Sequence, residues 1–152
     1  MAFDIAKFTA RFVEEARDHL ANLNNGLVRL EKSPDDAENL NAIFRSAHTI
    51  KGSSRMLKLT AITEVAHKIE DVLGAIRERK ISNTREVADL LFRGLDAVTA
   101  MVDGVASGEQ IAMDNAALCE ALERAVKGAP PAGIPSAAGA APTTREPQAA
   151  AA

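Results

Sequence analysis

Large apolar side chains recur at steps of three or four residues through the opening of the chain, at Phe8, Phe12, Ala16, Leu20, Leu23, Leu27 and Leu30. That spacing keeps every one of them on the same side of a helix with 3.6 residues per turn. A helix with one apolar stripe is unstable alone and must bury that stripe against other elements. The pattern predicts a long first helix ending near Glu31. With 152 residues, the chain has room for one domain with a real core and little more. Only five side chains are aromatic, all Phe, so the core is built from Leu, Ile, Val and Ala, residues suited to packed helices.

Four further segments repeat the helical period. Ser33-Pro34-Asp35-Asp36 offers a capping Ser, a Pro at the first helical position and early acidic residues, predicting a second helix that buries Leu40, Ile43, Phe44, Ala47 and Ile50. Its opposite side carries Asn41, Arg45, His48, Gly52 and Arg55. Thr60 is the expected cap of a third helix with Ile62, Val65, Ala66, Ile69, Leu73 and Ile76 inside, and Glu64, His67, Lys68, Glu70 and Asp71 flanking the stripe. Arg77, Arg79 and Lys80 fall at its end, where cations complement the helix dipole. Asn83 and Glu86 are the expected capping pair of a fourth helix through Val87, Leu91, Gly94, Val98, Val102 and Val105, bracketed at its end by Gly104 and Gly108. Asp114 is the expected cap of a shorter fifth helix through Leu118, Leu122 and Val126. Short connections make consecutive helices antiparallel, so the fold class is all-α: an up-and-down four-helix bundle with a fifth C-terminal helix. After Lys127 come five of the six prolines with Ala, Gly and Thr. Residues 1–127 are therefore expected to form the domain and 128–152 a disordered Pro/Ala-rich linker.

Composition removes several function classes. A net charge of -3 provides no global attraction for nucleic acid or anionic membranes. The cations Arg45, Lys51, Arg55, Lys58 and Lys68 lack interleaved aromatic residues for base stacking. Cys119 is the only cysteine, which excludes an internal disulfide and a CxxC site and fits a reducing, cytoplasmic setting. No apolar run reaches signal-peptide or membrane-spanning length, so neither export nor membrane insertion is expected. No Gly-rich loop precedes a Lys-Ser/Thr pair, which leaves the chain without a recognisable nucleotide site of its own.

The informative stretch is His48-Thr49-Ile50-Lys51-Gly52. Lys51 and Gly52 follow His48 by three and four residues and share its surface patch. A glycine inside a helix costs about 0.5 to 1 kcal/mol relative to Ala, and close approach of another molecule to His48 would account for it. Lys51 places a cation beside an imidazole that, once phosphorylated, carries about two negative charges. On the third helix His67 and Glu70 are three apart and share a face, which an antiparallel hairpin can bring to His48. A nucleophilic imidazole needs one bare nitrogen and one protonated nitrogen, and a carboxylate accepting that proton fixes the tautomer. Glu70 is expected to do so from a flanking, solvated position, with His67 in a supporting polar role. Taken singly, His48 reads more readily as an ordinary solvated helix histidine, and Glu70 and His67 read equally as surface or boundary side chains; the grouping is what points to chemistry.

Asn39-Leu40-Asn41-Ala42-Ile43-Phe44-Arg45-Ser46-Ala47-His48-Thr49-Ile50-Lys51-Gly52 resembles the phosphoacceptor segment of the histidine-containing phosphotransfer (HPt, P1) domain of CheA chemotaxis kinases. The resemblance runs from Phe3 to about Val126. It implies that His48 accepts a phosphoryl group from the ATP-binding domain of a CheA-type kinase and passes it to an aspartate of a response-regulator receiver domain. It places His67 and Glu70 among the hydrogen-bonding partners of His48. ATP and magnesium are then expected on the kinase domain and magnesium on the receiver, with no cofactor bound by this chain. Many relatives follow the motif with a second glycine, whereas Ser53-Ser54-Arg55-Met56-Leu57-Lys58 contains none, so the turn into the third helix is expected to differ.

Two other classes compete. Glu64-Val65-Ala66-His67 matches the Glu-x-x-His pair of di-iron bundles, but such sites need a second pair and two more inward carboxylates. No second Glu-x-x-His exists, and the apolar stripes carry no Glu. Zinc hydrolysis lacks a three-ligand set. The remaining alternative is a non-catalytic helical adaptor in which His48 is incidental.

Overall fold

The structure, a computed structural model, describes residues 5–109 and 114–128. They form α1 (Ile5–Lys32), α2 (Ala37–Met56), α3 (Thr60–Arg77), α4 (Arg85–Ala106) and α5 (Ala116–Val126), with no strand among the described residues. The expected linker lies outside the described residues from position 129 onward. Helices α1 to α4 each pack on their neighbours in sequence, and α4 returns against α1. This closes the up-and-down ring that short connections require. Helix α5 covers the groove between α3 and α4. The apolar stripe of α1 points inward from Phe12 to Leu30, while Phe8 remains exposed at its start.

Helix starts differ from the expected ones by a residue or more. Helix α2 is capped by Asp36, whose carboxylate accepts the Asn39 N–H at 3.1 Å. Ser33 instead accepts the Asp36 N–H through its carbonyl at 3.2 Å, which puts Pro34 at the second position of a β-turn, a place its fixed φ favours. Thr60 is the first residue of α3 rather than its cap, and Leu59 precedes it without a side-chain bond. Thr84, not Asn83, caps α4 by accepting the Val87 N–H at 3.2 Å, because its extended backbone directly abuts the first helical turn. Asp114 does accept from the N terminus of α5, at Ala116 N–H, 3.1 Å. Phe44 and Val105, expected inside, are only partly buried.

Two features fix the register that serves the site. At Gly26 the backbones of α1 and α2 approach so closely that a Cβ would collide with Ile43, and the buried Asn39 amide donates to the Gly26 carbonyl at 2.9 Å. Between α2 and α3, the fully buried Ser54 hydroxyl lies 2.7 Å from the Thr63 hydroxyl. The end of α2 closes as a Schellman turn, with Lys58 N–H on the Arg55 carbonyl and Leu59 N–H on the Ser54 carbonyl, and Lys58 takes the left-handed conformation with φ 61°. The C′ position of such a turn favours Gly, and here Lys58 occupies it. The end of α3 repeats the motif with Arg79 at φ 63°. Replacing Lys58 by Gly relieves a left-handed L-residue and is expected to stabilise the domain by about 1 kcal/mol, measured by urea denaturation.

Candidate phosphoacceptor site on α2 and α3

His48 stands on the outer side of α2, its side chain 62% exposed. The α2–α3 hairpin sets Glu70 opposite it, and Glu70 Oε2 is hydrogen-bonded to His48 Nδ1. The second oxygen, Oε1, lies 2.6 Å from Lys51 Nζ. One carboxylate thus joins the histidine and the lysine that follows it by one helical turn.

Glu70 is not the solvated flanking residue expected from the sequence. Its side chain is only 9% exposed, set in the seam between α2 and α3 beside the buried Ile69 and Leu73. A buried carboxylate needs partners, and the signal for them was Lys51, which spends its charge on Glu70 and is itself only 17% exposed. Burial pushes the Glu70 pKa up, but hydrogen bonds from Lys51 and His48 outweigh it and hold the carboxyl below its ordinary range. Glu70 is therefore ionised at neutral pH and can only accept. His48 Nδ1 must carry the proton, so in the neutral imidazole the lone pair is on Nε2, the nitrogen that Glu70 does not engage.

The other expected residues divide. Gly52 is exposed, and a Cβ there would meet nothing within 4 Å, so packing does not explain the glycine. His67 is half-exposed and faces Asp71, with Nε2 3.6 Å from Oδ2; its contact is along its own helix rather than with His48. His67, Glu70 and Asp71 are close enough together to suggest a metal, yet both Glu70 oxygens are already engaged by Lys51 and His48. Glu64 of the Glu-x-x-His pair is exposed on the outside of α3, away from the interior that a di-iron site would occupy. Sequence reasoning missed Phe44 and Arg77. Phe44 reads as an ordinary core residue, but its ring lies parallel to that of His48, one helical turn away.

Comparison with known proteins establishes the family. Residues 7–108 match the Hpt domain family, and the chain belongs to that family. Over 105 residues it is 36% identical to the chemotaxis protein CheA of Bacillus subtilis, covering 69% of this chain and 16% of that protein. The chain therefore spans about a sixth of the length of such relatives. In structure it is similar to the CheA phosphotransferase domain from Thermotoga maritima, with TM-score 0.64 and 33% identity over 69% of this chain and 99% of that one. It is also similar to the phosphorylated P1 domain of CheA3, solved in complex with CheY6 from R. sphaeroides, with TM-score 0.71 and 26% identity over 80% of this chain and 97% of that one. No helix among the described residues is long and apolar enough to cross a membrane.

Because Glu70 neutralises a largely buried lysine, Glu70→Ala is expected to cost about 1 to 3 kcal/mol of stability. The depressed carboxyl contributes stability that is full above the unfolded carboxylate range and is lost as pH falls through its folded value. The stability gap between the parent chain and Glu70→Gln should accordingly be widest at neutral pH and narrow on acidification, as read by denaturation at a series of pH values.

Proposed function

We propose that this domain is the phosphoacceptor and phosphotransfer module of a CheA-type histidine kinase. In this reading it takes a phosphoryl group on His48 from the ATP-binding domain and delivers it to an aspartate of a response-regulator receiver domain. The observation that carries the reading is the pairing of His48 Nδ1 with an ionised, partly buried Glu70, which leaves an exposed Nε2 as the nucleophile. In the first step the Nε2 lone pair forms a bond to the γ-phosphorus of ATP while the bond to the bridging oxygen breaks, its electron pair leaving with ADP. Positive charge grows on the ring, and the Nδ1 proton held against Glu70 spreads it onto the carboxylate. Lys51 acts through Glu70, keeping the carboxylate ionised and in place. In the second step a receiver carboxylate oxygen bonds the phosphorus as the Nε2–P bond breaks and the electron pair returns to the ring.

ATP and magnesium belong to the kinase domain and magnesium to the receiver; this chain supplies the nucleophile and its support. In this reading, dependence on ATP favours a cytoplasmic location. Gly52, open and one turn beyond His48, leaves room for the partner surface that must bring its aspartate within bonding range. Incubation with a CheA-type kinase core and labelled ATP is expected to give acid-labile, base-stable label that His48→Gln abolishes and that His19→Gln and His67→Gln retain. Gly52→Gln should slow transfer while leaving the fold intact. Label persisting in His48→Gln would overturn the assignment, and a parent chain that takes no label would indicate an adaptor.

A further inference from the structure

One hydrogen bond does not fix a ring. A histidine held only through Nδ1 can still pivot about that contact, swinging Nε2 through an arc and straining the bond to Glu70. The Phe44 ring lies across this motion, parallel to the imidazole within 9° with centroids 6.5 Å apart, an offset arrangement within the range of favourable ring pairs. Phe44 is itself held. The Arg77 guanidinium sits 4.0 Å from the centre of the Phe44 ring, a cation–π distance, and Arg77 Nη1 reaches Asn41 Oδ1 at 3.4 Å. On α3 the ring edge rests over Gly74, where a Cβ would come within 3.3 Å of Phe44 Cε2. A glycine in the interior of α3 weakens that helix, and at this position it leaves room for the edge of the Phe44 ring.

We propose that Phe44, seated on Gly74 and held by Arg77, is a positioning residue that keeps the His48 ring aligned with Glu70 and Nε2 aimed outward for phosphoryl transfer. The proposal rests on His48 being the acceptor and adds a second constraint to the one Glu70 supplies. Free imidazole side chains in water favour the proton on Nε2, the tautomer with no lone pair there. Glu70 reverses this preference only while the ring stays in register with it. Loosening the Phe44 seat therefore has a chemical consequence as well as a geometric one: it returns protons to Nε2 and lowers the population able to attack.

The test uses the full chain, a CheA-type kinase core and nitrogen NMR of His48. Phe44→Leu, which keeps an apolar side chain at the edge of the core, should raise the Nε2–H tautomer fraction and lower the phosphorylation rate by about tenfold, mainly in kcat. Gly74→Ala supplies a variant whose helix propensity improves, so its melting temperature should hold while the added methyl, 3.3 Å from Phe44 Cε2, pushes the ring edge by a few tenths of an ångström and the tautomer and rate shift in the same direction to a smaller extent. Joining Gly74→Ala to Phe44→Leu should add little to the effect of Phe44→Leu alone, since the displaced ring is then absent. Unchanged tautomer ratios in Phe44→Leu and Gly74→Ala, or a rate that falls only in step with melting temperature, would overturn the proposal. Loss of label in His48→Gln tests the acceptor assignment separately.

Discussion

The charge of Glu70 at the α2–α3 seam is the constraint around which the site is arranged. A carboxylate taken this far out of water is tolerated only with hydrogen-bonding partners on both oxygens, and the structure supplies Lys51 on one and His48 on the other. Each partner follows from that need. Lys51 sits where its stem packs along the seam and its ammonium reaches Oε1, and His48 sits one turn earlier at the rim. The histidine's tautomer is then a by-product of solving a solvation problem in the fold. One carboxylate sets both the solvation of the seam and the protonated nitrogen of the imidazole.

The helical period made most of the fold legible. Stripes of Leu, Ile and Val fixed the number of helices and their inward faces, and short connections fixed their order. Helix starts were less legible because Ser33, Asp36, Asn83 and Thr84 are all competent caps, and only the turn geometry decides among neighbours. The candidate site on α2 stands out from His48, Lys51 and Gly52 on one helix, where local spacing suffices. Glu70 was recognised as the partner but placed in solvent, because a glutamate beside an apolar stripe looks the same whether its oxygens face water or a lysine on another helix. Phe44 was hidden for a related reason: its hydrophobicity satisfied the core pattern, and nothing in a single sequence shows that one face of its ring meets an imidazole.

Helix α3 carries several of these demands at once. It packs against α2, α4 and α5, presents Glu70 and Gly74 toward α2, and sends Lys68 to Glu123 of α5 at 2.7 Å. Gly94 of α4 closes on it from another side, with a Cβ there falling 3.0 Å from Ile69. Side chains one or two positions apart on α3 thus serve different neighbours, which leaves it little freedom to shift relative to the site.

The outer side of α2 is arranged in the opposite way. Arg45, Thr49, Gly52, Arg55 and Met56 are all exposed around and beyond His48, while the groups that prepare the imidazole reach it from the seam behind. The groups that fix the imidazole, Glu70 of α3 among them, and the exposed face of α2 are therefore separate sets of side chains. Substitution on the exposed set can proceed without disturbing the solvation of the buried carboxylate.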